Sequence, residues 1–168
     1  MDFVAEKDEG MIPFVLAQIL DTCINGITLS DPDEPDNPIV YANAAFELIS
    51  GYSREEIIGQ NCRFLQGEDR DQEGLEEIRR TLAKQGTTTV TLRNYRKDGT
   101  RFLNRLTLRP LFDRQGGLIY YLGVQHDVTD LVETEDKLQR AYEKLAWFDS
   151  GTEMGQSRGA PKHANDDE

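Results

Sequence analysis

The sequence predicts an α+β domain in which short helices cover the inner face of one five-stranded antiparallel sheet. Two observations support this fold class. Between residues 88 and 128, polar and apolar residues alternate in three consecutive segments separated by turns, and such alternation is typical of strands. Two shorter strands and several helical segments precede residue 88. Two strands, then helices, then three antiparallel strands indicate one sheet with helices on a single face.

The first half of the chain contains the short elements. Asn43 is a suitable cap for a helix that ends at Gly51, and Ser53 and Glu56 form a capping box for the next turn of helix. The predicted elements are a helix over 11–23, strands over 26–30 and 39–41, and short helices over 43–51, 53–56 and 61–66. A turn-rich stretch over 31–38 separates the two strands.

The second half contains one longer helix and the three long strands. Leu75, Ile78 and Leu82 form an apolar stripe on a helix over 71–85, which Gly86 is expected to end. The strands are predicted over 88–96, 101–111 and 118–128, with turns at 97–100 and 116–117 and a last helix over 129–148. The chain therefore divides into an N-terminal cap over 1–23, a core over 24–128, a C-terminal helix over 129–148 and a polar, disordered tail over 149–168.

The composition disfavours several classes of partner. A net charge of −12 repels phosphate backbones and anionic lipids, so neither nucleic acid nor membrane is expected to bind. No apolar run approaches the roughly 18 residues of a membrane span, and the first residues are acidic where a secretion signal would be basic. We therefore expect a cytoplasmic protein, in which Cys23 and Cys62 do not form a disulfide.

Each of the last three strands places one amide side chain among apolar residues on the inner face of the sheet. These amides are Asn94, Asn104 and Gln125. A buried amide without a partner costs about 1–3 kcal/mol. Bonds to the backbone or between the amides would satisfy them, but this explanation is weaker for three amides on one face than for one. Because amides both donate and accept, a heteroaromatic ligand whose edge alternates C=O and N–H groups is the alternative.

The segment Asn61–Gln66, with the sequence Asn-Cys-Arg-Phe-Leu-Gln, is the most specific motif in the chain. It resembles the signature of LOV (light, oxygen, voltage) domains, the flavin-binding branch of the PAS family. The resemblance spans 26–128 and includes residues 36–38, 51–57, 94–99, 102–104 and 123–125. It implies a PAS fold with flanking helices at both ends, as in short bacterial LOV photoreceptors.

The resemblance also implies a mechanism. Cys62 corresponds to the photoactive thiol, which forms a reversible bond with a flavin after blue-light excitation. Gln125 corresponds to the amide that reorients when a flavin nitrogen takes up a proton, and it thereby relays the signal. The other side chains that correspond to ligands of the flavin ring and its ribityl chain are Asn61, Gln66, Asn94 and Asn104.

Three arginines indicate which end group the cofactor is expected to carry. Arg63 and Arg79 correspond to arginines that hold the terminal phosphate of FMN, a group that suits the guanidinium fork. Arg70 lies in the same region and is a further candidate, although a solvated surface charge is an equal explanation for it. FMN is therefore the expected cofactor, and FAD and riboflavin remain alternatives.

The last strand is apolar on both faces, which indicates that its outer face is covered. Antiparallel sheets with an exposed face normally carry polar residues there, whereas this face carries Leu118, Tyr120, Leu122 and Val124. Leucines recur every seven residues at 131, 138 and 145 in the last helix. Packing of that helix on its own sheet is one explanation. By the resemblance, we expect a homodimer through the outer face and the flanking helices, and an unknown downstream protein partner.

Other functions fit the residues less well. A thiol hydrolase needs a base near Cys62, but His126 is predicted on the outer face and His163 lies in the tail. A zinc site lacks ligands, so no metal is expected, and no residues indicate an enzyme. The competing interpretation is a light-independent PAS module for redox sensing or dimerisation.

Overall fold

A computed structural model describes residues 11–153, with side chains described for residues 14–147. The strands are β1 (Gly26–Ser30), β2 (Ile39–Ala42), β3 (Thr88–Tyr95), β4 (Arg101–Phe112) and β5 (Leu118–Asp127). They form one antiparallel sheet in the order β2-β1-β5-β4-β3, which confirms the predicted fold class. The helices are α1 (Met11–Asp21), α2 (Ala44–Ser50), α3 (Arg54–Ile57), α4 (Glu73–Ala83) and α5 (Thr129–Glu153), with a 3₁₀ turn at Cys62–Gln66.

The predicted helix caps are confirmed at both ends of α2. The Asn43 side chain accepts a hydrogen bond from the Phe46 backbone N–H at 3.0 Å. It also accepts from the Ile27 N–H at 2.7 Å and donates to the Leu20 carbonyl at 2.8 Å, so one buried amide joins α1, β1 and α2. Gly51 ends the helix with a positive φ of 75°, a conformation that costs glycine little because it has no Cβ.

The end of α4 differs from the prediction. Gly86 was expected to supply the left-handed residue, but Gln85 does so with a φ of 49°. The Gly86 N–H then donates to the Thr81 carbonyl at 3.0 Å and caps the last turn. The helix also starts at Glu73, two residues later than predicted, because Gln72 has an extended backbone conformation.

The side chain of Gln72 forms hydrogen bonds with the backbone at the free edge of the sheet. Its amide oxygen accepts from the Arg93 N–H at 2.7 Å, and its amide nitrogen donates to the Arg93 carbonyl at 3.0 Å. Arg93 lies on β3, the edge strand. The guanidinium of Arg93 pairs with Asp69 at 2.7 Å, which holds the loop before α4 against the same strand.

Two apolar clusters form the core on the inner face of the sheet. The first core cluster consists of Ile39, Ala42, Phe46, Ile57 and Leu65. The second core cluster consists of Leu75 from α4, Leu92 from β3 and Leu106 from β4. Gly74 allows α4 to approach β3, since a Cβ there would lie 2.7 Å from a Leu92 methyl carbon. The second core cluster lines a cavity, which is described below.

Arg96 links three parts of the chain. Its guanidinium donates to the Ile49 carbonyl near the end of α2 and to the carboxylate of Asp127 at the end of β5. It also lies 4.4 Å from the centre of the Phe102 ring. The Asp127 carboxylate accepts from the hydroxyl and N–H of Thr129 at 2.6 and 3.0 Å. Burial opposes ionisation of Asp127, but these bonds outweigh it and lower its pKa.

Thr129 and the residues before it form one compact unit, and the chain from Asp130 onward forms a second. In the first unit, Tyr120, Leu122 and Val124 on the outer face of β5 are half-buried, and α1 exposes Phe14 and Leu16. In the second unit, α5 extends beyond the predicted end at Phe148, and its described leucines are exposed.

Residues 1–10 of the predicted cap and 154–168 of the predicted tail lie outside the described residues. Over 11–153, no helix has the length and apolar character to cross a membrane.

Arg96→Ala is expected to lower the free energy of unfolding by about 2 kcal/mol, because the carboxylate of Asp127 and the carbonyl of Ile49 lose a charged donor in a partly buried place. Urea denaturation followed by circular dichroism measures this change. Arg114→Ala, in the exposed turn before β5, is the matched control and should change stability by less than about 0.5 kcal/mol. Equal losses in the two variants would contradict the assigned role of Arg96.

Candidate functional site

A cavity of about 260 Å³ lies on the inner face of the sheet and is lined by the second core cluster and by Cys62, which packs against the first. Its apolar wall consists of Leu75, Ile78, Leu82, Leu92, Leu106 and Leu108. Its remaining lining consists of Ser30, Asn37, Asn61, Cys62, Arg63, Gln66, Arg70, Arg79, Asn94, Asn104 and Tyr121. A flat apolar space with polar groups along one side is typical of a small-molecule site.

The three inner-face amides are buried as predicted, with Asn94 2%, Asn104 1% and Gln125 1% exposed. They are only partly satisfied by each other. The Asn104 amide nitrogen donates to Asn94 Oδ1 at 2.9 Å, and the Asn94 amide nitrogen donates to the Arg93 carbonyl at 2.9 Å. Asn104 Oδ1 and Gln125 Oε1 are buried and have no hydrogen-bond partner. Two unsatisfied buried acceptors indicate that this site is shaped for a ligand with N–H donors.

Cys62 starts the 3₁₀ turn that forms part of the cavity wall. Burial raises the pKa of its thiol to about 11, and the nearby amide of Gln125 offsets this only in part. The Gln125 amide nitrogen lies 3.9 Å from Cys62 Sγ. The thiol is therefore protonated at neutral pH, and it carries a proton that a reaction at the sulfur would have to displace.

The 3₁₀ turn is fixed in place by the loop before β2. Asn61 Oδ1 accepts from the Arg63 N–H at 3.0 Å, while its amide nitrogen donates to the Asp36 carbonyl at 2.5 Å. Arg63 pairs with the Asp36 carboxylate at 2.6 Å. Asp36 and Asn37 both have positive φ, at 71° and 47°, a conformation that Asp and Asn tolerate better than most residues. This loop thus positions Cys62.

Gln125 lies beside the cavity rather than in its lining. Its amide nitrogen donates to the hydroxyl of Thr28 on β1 at 3.1 Å. Thr28 is 2% exposed and faces Gly123 across the β1–β5 pairing. Gln125 therefore links Thr28 to Cys62, which lines the cavity.

Three exposed arginines line the polar side of the cavity. Each already has one partner: Arg63 pairs with Asp36, Arg70 donates to the Gly67 carbonyl at 3.2 Å, and Arg79 pairs with Glu76 at 3.3 Å. A guanidinium has five N–H donors, so each arginine keeps donors for an anion. The arrangement places positive charge beside the polar and apolar groups that line the cavity.

The structure brings together seven of the eight side chains expected to contact a cofactor, and Gln125 is adjacent to them. The sequence analysis did not single out Thr28, Asn37 or Tyr121. The hydroxyl of Tyr121 donates to the Leu82 carbonyl at 3.3 Å and ties β5 to α4 across the cavity. Inward alternation in β1 could have indicated Thr28, but threonine is common in strands for other reasons.

Among the described residues, the one histidine is His126, which is exposed on the outer face of β5. His163 lies outside the described residues. Within residues 11–153, no group of three or more His, Cys, Asp or Glu side chains could hold a metal ion.

Comparisons with known proteins agree with this geometry. The PAS domain family model matches residues 24–130. A blue-light photoreceptor of Listeria innocua is 43% identical over 133 residues, which cover 79% of this chain and 51% of that protein. The solved structure of an RNA-binding light-oxygen-voltage receptor has a TM-score of 0.74 at 35% identity, and covers 85% of this chain and 40% of that one. A LOV domain studied with a flavin analogue has a TM-score of 0.66 at 41% identity, and covers 79% and 99%.

The chain belongs to the PAS domain family. Within that family it is a LOV domain, as the Cys62 motif predicted. The chain spans about half the length of the Listeria relatives that it matches.

The raised pKa of Cys62 predicts slow alkylation at mildly alkaline pH. In a Cys23→Ser background, the rate of modification by iodoacetamide should rise with a midpoint at about pH 11 in the folded protein and at about 8.5 in the unfolded chain. The folded state holds its thiol proton more tightly, so this group's contribution to stability is complete below the unfolded pKa and is lost as the pH rises through the folded value. A folded-state midpoint near 8.5 would show that the thiol is not desolvated.

Proposed function

We propose that this chain is a blue-light photoreceptor that binds FMN and signals through a reversible, light-driven bond between Cys62 and the flavin. The observation that supports this proposal best is the juxtaposition of a protonated thiol with a cavity in whose lining the buried amide oxygen of Asn104 lacks a partner. The identity to blue-light photoreceptors supports it independently.

The described residues fit a flavin. Its ring system is flat and apolar on its faces, which matches the walls formed by Leu75, Leu92 and Leu106. Its polar edge offers N–H and C=O groups, and Asn104 Oδ1 is a buried acceptor without a donor. Asn94 and Asn104 would hold this edge, and Asn61 and Gln66 would contact the ribityl side.

The arginines favour FMN among the flavins. Arg63, Arg70 and Arg79 lie along one side of the cavity, and guanidinium groups bind phosphate oxygens well. Riboflavin has no phosphate and would leave this charge without a ligand. FAD would present a phosphate to the same arginines, so extraction and chromatography of the bound flavin distinguish the two nucleotides.

A bound flavin excited by blue light supplies an electrophilic ring carbon for the thiol sulfur and an adjacent ring nitrogen for the thiol proton. Cys62 brings both atoms, because its thiol is neutral at physiological pH. The 3₁₀ turn, held by Asn61 and Asp36, orients the sulfur. The absence of a strong base among the described neighbours leaves the thiol unreactive in the dark.

Gln125 is the proposed relay. Its amide lies 3.9 Å from Cys62 Sγ and its Oε1 has no partner. An amide can donate or accept by rotating through half a turn, so a change of a nearby acceptor into a donor is enough to reorient it. Gln125 lies on β5, two residues before the Asp127 carboxylate that bonds Thr129, and a reorientation is passed on along this strand.

Output is proposed to pass through a homodimer and an unidentified protein partner. The supporting features in the first unit are the apolar outer face of β5 and the exposed apolar residues of α1. The chain is proposed to act in the cytoplasm and to have no catalytic activity of its own. One solved neighbour is an RNA-binding LOV receptor, but the net charge of −12 disfavours RNA as a partner here.

Asn104→Leu is expected to weaken flavin binding about tenfold, because it removes a buried acceptor worth about 1.4 kcal/mol to the ligand. Titration of the refolded or flavin-free protein with FMN, followed by flavin fluorescence, measures the dissociation constant. Gln115→Leu, an amide replacement in an exposed turn, is the control. Unchanged affinity in Asn104→Leu would remove this amide from the flavin site.

Cys62→Ala is expected to retain flavin and its blue absorption band but to lose light-induced bleaching and dark recovery. Cys23→Ala serves as the matched cysteine control and should bleach like the original protein. Absorption spectra before, during and after illumination measure the bleaching and the dark recovery of each variant. Persistent bleaching in Cys62→Ala would assign the photochemistry elsewhere, and a protein that binds no flavin would leave the light-independent PAS module as the function.

A further inference from the structure

Thr28 is a buried hydroxyl that the photochemistry described above does not use. It lies in the middle of β1, is 2% exposed and pairs with Gly123 in the register between β1 and β5. It accepts a hydrogen bond from the Gln125 amide nitrogen at 3.1 Å. Among the described hydrogen bonds, this is the one that connects the Gln125 side chain to β1.

In this bond, the nitrogen end of the Gln125 amide points toward β1. The amide nitrogen faces the Thr28 hydroxyl, whereas Oε1 is buried without a partner. A hydroxyl both donates and accepts, so Thr28 could bond either end of the amide. A valine at this position would have nearly the same shape and could bond neither end.

Gly123 makes this contact sterically possible. A Cβ at residue 123 would lie 2.7 Å from the Thr28 hydroxyl oxygen and 2.9 Å from the Gln125 amide nitrogen. Such distances are too short for real contacts, so a side chain at this position would push the two groups apart. The glycine thus leaves room for the hydroxyl and the amide to meet across the strand pair.

We propose that Thr28 is a positioning residue for Gln125: its hydroxyl holds the amide against β1 in the dark and carries a reorientation of that amide from β5 to β1. This inference rests on the proposed photoreceptor function. It gives the signal a route to the strand that precedes the 31–38 loop, in addition to the route along β5. Because Asp36 in that loop bonds Asn61 and Arg63, β1 also leads back to the segment that carries Cys62.

The test uses the flavin-loaded full chain, labelled with ¹⁵N. NMR spectra record the resonances of the side-chain NH₂ group of Gln125, which are assigned because they disappear in Gln125→Leu. In Thr28→Val, these resonances should shift and their hydrogen exchange in the dark should accelerate about fivefold or more, as loss of a bond worth about 1 kcal/mol requires. The light-induced shifts of β1 backbone amides should fall to less than half. Thr28→Ser should restore both, which a purely structural role of the threonine methyl would not do.

The controls separate this inference from the proposed function. Thr91→Val, the same replacement at an exposed position on β3, should leave the Gln125 resonances and the β1 shifts unchanged. If the original protein bleaches in blue light but Thr28→Val matches it in both readouts, the inference is wrong and the photoreceptor function stands. If the original protein does not bleach, the proposed function itself fails. Thr28→Ala applies the same test should valine prevent folding.

Discussion

Burial of amide side chains on the inner face of the sheet is the constraint on which this molecule depends. Asn94, Asn104 and Gln125 come from three neighbouring elements of a hydrogen-bonded sheet, and their backbone positions are set by strand pairing. Strand pairing therefore brings these side chains together without the help of a ligand. One bond, from Asn104 to Asn94, satisfies some of the polar atoms, and an acceptor of Asn104 and one of Gln125 have no partner, so the fold is adapted to a bound group that completes them. Leucines and an isoleucine of α4, β3 and β4 provide the apolar part of the lining beside them.

The protonation state of the Cys62 thiol is determined by its burial and not by a neighbouring base or positive charge. Catalytic cysteines are usually made reactive by a nearby positive charge or base, whereas burial keeps the Cys62 thiol neutral. The arginines of the site already pair with carboxylates or carbonyls, such as the carboxylates of Asp36 and Glu76. Positive charge therefore lines the site, while burial keeps the thiol protonated at neutral pH.

Sequence reasoning predicted the parts of the fold that local patterns determine. The capped helix from Asn43 to Gly51, the capping box at Ser53 and the alternating strands all appear within a residue or two of their expected limits. It could not predict that Gln85 rather than Gly86 takes the left-handed conformation, because the choice depends on how α4 meets β3. It also could not assign Thr28, since the partner of that hydroxyl is 97 residues away and strand threonines are common. The motif around Cys62 was decisive because its residue types are rare in combination.

The amide of Gln72 has a consequence for how the protein behaves at high concentration. An edge strand normally presents free N–H and C=O groups to which another chain can add, and this is a common start of aggregation. At Arg93, the side chain of Gln72 takes up both groups, as a neighbouring strand would. Self-association by sheet extension is therefore obstructed on the β3 side.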